Sequence, residues 1–158
     1  MRIDVEAATQ IDAPLDLVWE IMLDTPAYGG WNPFVVRADC PQPPSVGDPI
    51  TLFVAWAGKE GRTRSPERIS VLDHPSTGPD GVTRATLAYV YEGLPARLGL
   101  VRGTRYQRLT QAPGEPTAYA TVEEFSGPLV RLAAPGRVAD GFERHAVALK
   151  QRAEHLAG

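Results

Sequence analysis

The chain has 158 residues, of which 43% are hydrophobic and 22% charged, and its formal net charge is −3. This composition is typical of a globular protein, and the length predicts one domain over residues 1–158 with one sizeable core. The slight negative charge argues against a nucleic-acid partner, which needs clustered Lys and Arg. The absence of any run of about 18 apolar residues argues against integral membrane insertion.

Residue usage indicates the compartment. Met1 is followed at once by a charged, alternating segment and not by an apolar signal sequence. Cys40 is the only cysteine, so no internal disulfide forms. Arginine far outnumbers lysine and Ala, Gly and Pro are frequent, which is typical of GC-rich bacterial genes. We therefore expect a cytoplasmic bacterial protein that is a monomer or a homodimer.

Residues 2–31 are predicted to form a strand followed by two helices. Apolar and polar residues alternate over 2–11, which predicts a strand. Pro14 then suits the first turn of a helix over 15–22, because its missing N–H costs nothing there. Asp24 is expected to end this helix and to cap a second short one that reaches Trp31.

Six further strands are predicted from alternation and from the turn residues between them. Their apolar faces are clearest at positions 50, 52, 54 and 56 and at positions 85, 87, 89 and 91. A predicted loop over 75–81 carries the turn residues Pro, Ser and Gly. The predicted strands cover 34–36, 49–56, 64–73, 82–92, 103–111 and 117–126.

A long amphipathic helix is predicted at the C-terminal end. Apolar residues recur there at intervals of three and four. The helical pattern begins after Gly127, and Pro135-Gly136 is expected to kink or interrupt the helix. The helix should end near Leu156. Its apolar stripe comprises Val138, Phe142, Ala146, Leu149 and Ala153.

The element order predicts an α+β fold in which a curved antiparallel sheet wraps the long helix. Several phrases of the chain also resemble the START-like, or SRPBCC, superfamily of polyketide cyclase-like and Bet v 1-like proteins. The resemblance implies a helix-grip fold with seven strands and two short helices after the first strand. The phrases are Ile11-Asp12-Ala13-Pro14, Val18-Trp19, Trp31-Asn32-Pro33-Phe34, Gly47-Asp48, Glu124-Phe125-Ser126-Gly127 and Ala148-Leu149-Lys150.

That fold implies a cavity between the sheet and the long helix, with a small hydrophobic molecule as its ligand. The connection over 94–100 is unusually apolar for a hairpin, so it is either a lid over the cavity or ordinary core folded onto the helix. The expected ligand-binding residues lie on predicted inner faces and in this connection: Trp56, Leu87, Tyr91, Leu94, Leu98, Phe125 and Phe142.

Four polar residues are candidates for catalysis in such a cavity. Glu67 and His145 are candidates for proton transfer, and Tyr89 and Arg105 for orienting a carbonyl. Each has a plainer interpretation as well. Glu67 would be solvated or paired with an arginine, Tyr89 would be a core aromatic, and His145 would lie at the helix border. Arg105, or Arg108 in its place, would pair with Glu123 or Glu124.

Other kinds of site are not predicted. His74, His145 and His155 lack the spacing of metal ligands, so no metal is expected. The chain has no phosphate-binding loop, no dinucleotide fingerprint and no nucleophile motif, so no cofactor is expected.

Three functions stay open at this point. A carrier or sensor needs only an apolar cavity, whereas a cyclase or aromatase needs at least two polar groups that converge inside it. An interaction module, like the co-chaperones of the superfamily, needs neither. The polar candidates lie on different predicted strands, which favours the binding of a lipid, polyketide or aromatic metabolite over catalysis.

Overall fold

A computed structural model describes residues 1–158. A seven-stranded antiparallel sheet, in the spatial order β1-β7-β6-β5-β4-β3-β2, curves around a long C-terminal helix. The strands are β1 (Arg2–Ile11), β2 (Val35–Asp39), β3 (Pro49–Val54), β4 (Thr63–Thr77), β5 (Thr83–Tyr91), β6 (Arg102–Gln111) and β7 (Thr117–Ser126). The helices are α1 (Leu15–Leu23), α2 (Leu94–Arg97) and α3 (Pro135–Ala157), with 3-10 turns at Thr25–Gly30 and Val130–Ala133.

The helix-grip fold expected from the sequence is confirmed in its seven strands and in the order of its main elements. All strand pairs are antiparallel, and β1 closes one edge by pairing along its whole length with β7. The register shifts once in the β2–β3 pair and twice in the β4–β5 pair. Such bulges bend strands, so they contribute to the curvature that lets the sheet wrap α3.

The second half of α3 closes one end of the concave face of the sheet. Lys150 donates from Nζ to the backbone oxygen of Gln10, and Glu154 accepts from the backbone N–H of Asp12 at 2.9 Å. Both contacts fix α3 on the last residues of β1. The side chains of Leu149 and other residues of α1, β1 and α3 are fully buried there, and we call this region the sealed end.

Glycine allows α3 to approach the chain that follows the 3-10 turn at residues 25–30. A Cβ added to Gly141 would lie 2.2 Å from Cε2 of Phe34, well inside contact distance. Phe34 packs edge-on against Phe142 and Trp56. Any larger residue at position 141 would therefore push α3 away from this aromatic group.

Four local predictions are corrected. Asp24 ends α1 as expected, with its backbone N–H donating to the oxygen of Glu20, but its side chain makes no cap for the 3-10 helix. β4 runs on to Thr77, so His74 lies in a strand and accepts a hydrogen bond from Trp19 Nε1 at 3.2 Å. β3 ends at Val54 and leaves Trp56 in the following turn. The connection after β5 contains one helical turn, α2. None of the helices is long and apolar enough to cross a membrane.

Candidate functional site

A cavity of about 350 Å³ lies between the first half of α3 and the concave face of the sheet. This end of the concave face, which we call the hollow end, is lined mostly by apolar side chains with a few polar groups among them. That combination and volume are typical of a small-molecule site. The lining residues are Phe34, Leu52, Val54, Trp56, Thr63, Ser65, Glu67, Tyr89, Tyr91, Pro95, Leu100, Val101, Arg105, Glu123, Phe125, Leu129, Leu132, Ala133, Val138 and Phe142.

Two carboxyl groups line this apolar cavity. Glu67 on β4 is buried, and its Oε1 accepts a hydrogen bond from Ser65 Oγ at 2.9 Å. Burial raises the pKa of Glu67 well above its ordinary value of 4.5, and the nearby charge of Glu123 raises it further. Burial also raises the pKa of Glu123 to about 7, against an opposing effect of Arg105. At neutral pH the cavity therefore holds one carboxyl that favours its proton and one that readily exchanges it.

A glycine on the neighbouring strand makes room for Glu123. A Cβ added to Gly103 on β6 would lie 2.8 Å from Glu123 Oε1 and 3.3 Å from the ring of Phe125. Gly103 pairs with Phe125 in the β6–β7 register, so the gap opens on the inner face of the sheet. The missing side chain leaves space for the carboxyl of Glu123 inside the cavity.

Arg105 is a buried guanidinium that has no carboxylate within 4 Å. It donates to Thr121 Oγ1 at 2.9 Å and to the Tyr89 hydroxyl at 3.3 Å. Its carbon Cζ lies 4.1 Å from the centre of the Phe142 ring. The expected pair with Glu123 or Glu124 is therefore replaced by neutral acceptors and an aromatic face. A buried cation of this kind stabilises negative charge that develops on a bound molecule.

Tyr89 belongs to a hydrogen-bonded network on the inner face of the sheet. Its hydroxyl accepts from Arg105 Nη1 and, at 3.1 Å, from Gln107 Nε2. Gln107 Oε1 accepts in turn from the Tyr119 hydroxyl at 2.8 Å. Both neighbours donate to the hydroxyl oxygen of Tyr89, so its own proton is free to be donated. Burial raises the pKa of Tyr89, so the hydroxyl stays neutral.

His145 is only 1% exposed, but it does not line the cavity. Its Nδ1 lies 3.4 Å from Arg105 Nη2 and 3.5 Å from Asn32 Nδ2. Because both neighbours can only donate, Nδ1 accepts and the ring is neutral. Burial and the charge of Arg105 lower the pKa of His145 well below 6.5. The ring faces inward from α3 and contacts the Arg105 guanidinium without lining the cavity itself.

Asn32 fixes the position of this histidine. Its Oδ1 accepts hydrogen bonds from the backbone N–H groups of Phe34 and Val35, at 3.0 and 2.9 Å. These bonds orient the amide so that Nδ2 points at His145. The phrase Trp31-Asn32-Pro33-Phe34 thus connects the start of β2 to Arg105 through one side-chain relay, Asn32–His145–Arg105.

The structure brings together three of the four catalytic candidates, Glu67, Tyr89 and Arg105, in the cavity wall. Among the expected ligand-binding residues, four also line the cavity: Trp56, Tyr91, Phe125 and Phe142.

The expected lining is corrected at three positions. Leu87 is buried in the core of the sheet but does not reach the cavity. Leu94 and Leu98 point to solvent, because α2 turns Pro95 and not its leucines toward the opening. The 94–100 connection therefore contributes to the wall through Pro95 and Leu100.

Sequence reasoning missed the catalytic potential of Glu123 and the roles of Asn32 and Gln107. A signal existed for Glu123, since it precedes the predicted lining residue Phe125 by two positions on one strand and so shares its face. No comparable signal existed for Asn32, whose partner His145 is 113 residues away in the chain. No group of three or more His, Cys, Asp or Glu side chains is arranged to hold a metal ion.

Residues 2–154 match the family described as "Polyketide cyclase / dehydrase and lipid transport". The chain belongs to this family. A search of curated protein sequences found no significant match. Family membership supports ligand binding or a cyclase role in general terms.

Solved structures with the same fold include members of several enzyme groups. One is the ZhuI aromatase/cyclase of Streptomyces sp. R1128, with a TM-score of 0.72, 19% identity, and coverage of 98% of this chain and 95% of that one. Another is norcoclaurine synthase of Thalictrum flavum, with a TM-score of 0.66, 11% identity, and coverage of 100% and 98%. The di-domain ARO/CYC protein BexL of the BE-7585A biosynthetic pathway gives a TM-score of 0.72 at 13% identity, covering 97% of this chain and 50% of BexL. These likenesses concern the fold alone.

Proposed function

We propose that this protein binds a mainly apolar, ketone-bearing molecule of the polyketide class in its cavity and catalyses proton transfers that cyclise or dehydrate it. The observation that carries the proposal is the convergence of Glu67, Glu123 and Arg105 in one apolar cavity. A carrier tolerates one polar group or none in such a place, because each buried polar group costs free energy unless something binds it. Three charged or titratable side chains favour chemistry.

The roles follow from the raised pKa values of the two carboxyl groups and from the positions of Arg105 and Tyr89. Glu123, with a pKa of about 7, accepts a proton from the carbon next to a substrate carbonyl, and an enolate forms. Arg105 stabilises the negative charge on the enolate oxygen, and Tyr89 donates its free proton to a carbonyl of the same molecule. Glu67, whose pKa is raised well above 4.5 by burial and further by the charge of Glu123, supplies a proton.

The bonds and protons balance over a cyclisation with loss of water. The enolate carbon attacks a second carbonyl carbon of the same molecule, and the resulting alkoxide takes the proton of Glu67. In the dehydration, Glu123 returns its proton to the departing hydroxyl, and the carboxylate of Glu67 removes the remaining proton from the neighbouring carbon. Both carboxyl groups regain their starting states, and one water leaves. The cavity wall supplies proximity by folding the chain of the substrate.

A simple ketone tests the first step without knowledge of the natural substrate. 1-Tetralone is a bicyclic apolar ketone, and uptake of deuterium from D2O at its α-carbon is followed by mass spectrometry. We expect the protein to accelerate this exchange, with a rate that rises as pH increases through about 7, since Glu123 must be ionised. Glu123→Gln should lower the acceleration by about 100-fold or more.

A matched variant controls for changes in fold and surface charge. Glu124→Gln removes the neighbouring carboxyl, which forms an ion pair with Arg2 and does not line the cavity, and it should leave the exchange rate unchanged. Thermal-shift and NMR titrations with 1-tetralone report binding separately. Binding without accelerated exchange would overturn the catalytic proposal and leave a carrier of such molecules.

The natural ligand is sought by native mass spectrometry of freshly purified protein, followed by extraction of any bound molecule. A co-purifying ketone or hydroxyaromatic compound would support the substrate class. A bound acyl lipid without ketone groups would contradict it.

A further inference from the structure

Two surface segments, residues 93–103 and 127–139, form part of the cavity mouth, where Thr63 of β4 also reaches the surface. Pro95 and Leu100 in the first and Leu129 and Leu132 in the second line the opening. The segments are joined by a hydrogen bond from the N–H of Leu129 to the oxygen of Leu100 at 3.0 Å. We call these two segments together the rim.

The charge of the rim is opposite to that of the whole protein. The rim contains four arginines and no Asp or Glu, whereas the complete chain has a net charge of −3. All four arginines are exposed, and none of them forms a salt bridge. Elsewhere exposed arginines often pair with carboxylates, as Arg68 does with Glu92. The rim arginines are Arg97, Arg102, Arg131 and Arg137. Arg102, at the start of β6, shares the outer sheet face with Arg108, so Arg97, Arg131 and Arg137 are the three available at the mouth.

The rim also carries half of the large hydrophobic side chains that the protein exposes. Leu94, the first residue of α2, and Leu98, the residue directly after it, are 67% and 62% exposed and lie four residues apart on the same side of this turn. Leu132 is 76% exposed and Leu129 is 42% exposed. Leucines that protrude between unpaired arginines are typical of surfaces that insert into the headgroup region of a membrane.

We propose that the rim is a docking surface for an anionic phospholipid bilayer. The arginines match the phosphates of anionic lipids, and the leucines of α2 and of the 129–132 segment enter the interface. A fluid surface accepts leucines that protrude from two separate turns, whereas a protein partner would need a complementary pocket for each. The cavity opens beside the rim, so docking lets an apolar ligand pass between bilayer and cavity without crossing water. Docking of the rim on a bilayer does not require proton transfer by Glu67 or Glu123.

Vesicle co-sedimentation tests the proposal directly. The intact protein is mixed with vesicles of phosphatidylcholine and phosphatidylglycerol, and in parallel with vesicles of phosphatidylcholine alone. We expect binding to the anionic vesicles that weakens as salt is added, and at most weak binding to the neutral ones. Arg97→Gln combined with Arg131→Gln should weaken binding about 25-fold, at about fivefold for each arginine.

Leu94→Ser combined with Leu98→Ser should weaken binding about tenfold or more but keep its salt dependence, because the arginines remain. Matched controls carry the same changes on other surfaces. Arg64→Gln with Arg108→Gln removes two exposed arginines of the outer sheet face, and Val46→Ser removes an exposed apolar residue in the turn before β3. Both controls should bind like the unaltered protein, and circular dichroism checks that every variant is folded.

Three results would overturn the proposal. The first is no binding to anionic vesicles at low salt, which would leave an acidic protein as the partner that fits the rim. The second is equal binding to neutral and anionic vesicles. The third is binding that the rim variants and the controls reduce alike.

Discussion

The two ends of the concave face differ although one sheet and one helix build both. At the sealed end, small and branched side chains of α3 let it lie directly on β1, and the space is filled. At the hollow end, Val138 and Phe142 of the same helix line a cavity of about 350 Å³ that lies between α3 and the sheet. The second half of α3 therefore contributes packing, whereas the first half leaves space for a ligand, because a close-packed interior has no room for one.

A polar layer separates the two ends. The relay Asn32–His145–Arg105 and the neighbouring network of Tyr89, Gln107 and Tyr119 cross the interior between them. Every buried side-chain nitrogen and oxygen has a hydrogen-bond partner, so the desolvation of this polar layer is compensated by hydrogen bonds.

The largest effect should come from the sealed end. Leu149→Ala should lower the free energy of unfolding by about 3–5 kcal/mol, because the fully buried side chain leaves a void that its neighbours cannot fill. Leu52→Ala, at the wall of the existing cavity, should cost about 2 kcal/mol or less, since mainly the transfer of the side chain from water is lost there. Urea denaturation measures both. Equal costs would show that the hollow end is packed as tightly as the sealed end.

The next effect concerns the pH dependence of stability at the hollow end. The pKa of Glu123 is raised in the folded state, so its contribution to stability is full below pH 4.5 and is lost as the pH rises through about 7. Glu123→Gln should therefore have little effect at pH 4.5 but should stabilise the protein by up to about 3 kcal/mol above pH 7.

The stability of the variant must be compared with that of the unaltered protein at each pH, because the lowered pKa of His145 changes stability with pH in the opposite direction. Its lowered pKa makes stability rise with pH up to about 6.5, and this contribution is common to both proteins and cancels in the difference. Denaturation of both proteins across this pH range gives the difference directly. A difference that does not change with pH would mean that water solvates the carboxyl of Glu123.

The smallest effect tests the boundary layer. Asn32→Asp keeps the oxygen that accepts from Phe34 and Val35 but removes the donor to His145 Nδ1. The new carboxylate should raise the pKa of His145 and place a proton on Nδ1, and the free energy of unfolding should fall by about 1 kcal/mol. NMR titration of the imidazole follows the protonation. An unchanged His145 titration would show that Asn32 does not control the ring.

Much of the fold was readable from the chain, because the controlling interactions are local. Pro14 begins α1 where its missing N–H is harmless, and alternation places Glu67 and Tyr89 on inner faces without knowledge of their partners. The same alternation fails after Ile69, where a bulge changes the register and leaves Val71 only partly buried. A bulge depends on the pairing with the neighbouring strand, so it cannot be predicted from the sequence of β4 alone.

Local sequence was least informative about His145 and Leu94. His145 follows the charged pair Glu143-Arg144, which is typical of a surface, but the position of α3 over the sheet buries it beside Arg105. Leu94 is apolar but exposed, because α2 faces its leucines outward at the cavity mouth. In both cases burial depends on which element lies opposite, and that element is distant in the chain.

The sequence by itself determined the order of strands and helices and the inner faces of the strands, because periodicity and turn residues act over a few positions, and its resemblance to a known superfamily implied the helix-grip fold. Only the tertiary structure decided that Glu67, Glu123 and Arg105 share one cavity and that Asn32 reaches His145. It also decided that unpaired arginines and exposed leucines of 93–103 and 127–139 lie beside the cavity mouth. These features join residues from distant segments, and only the curvature of the sheet and the position of α3 bring them together.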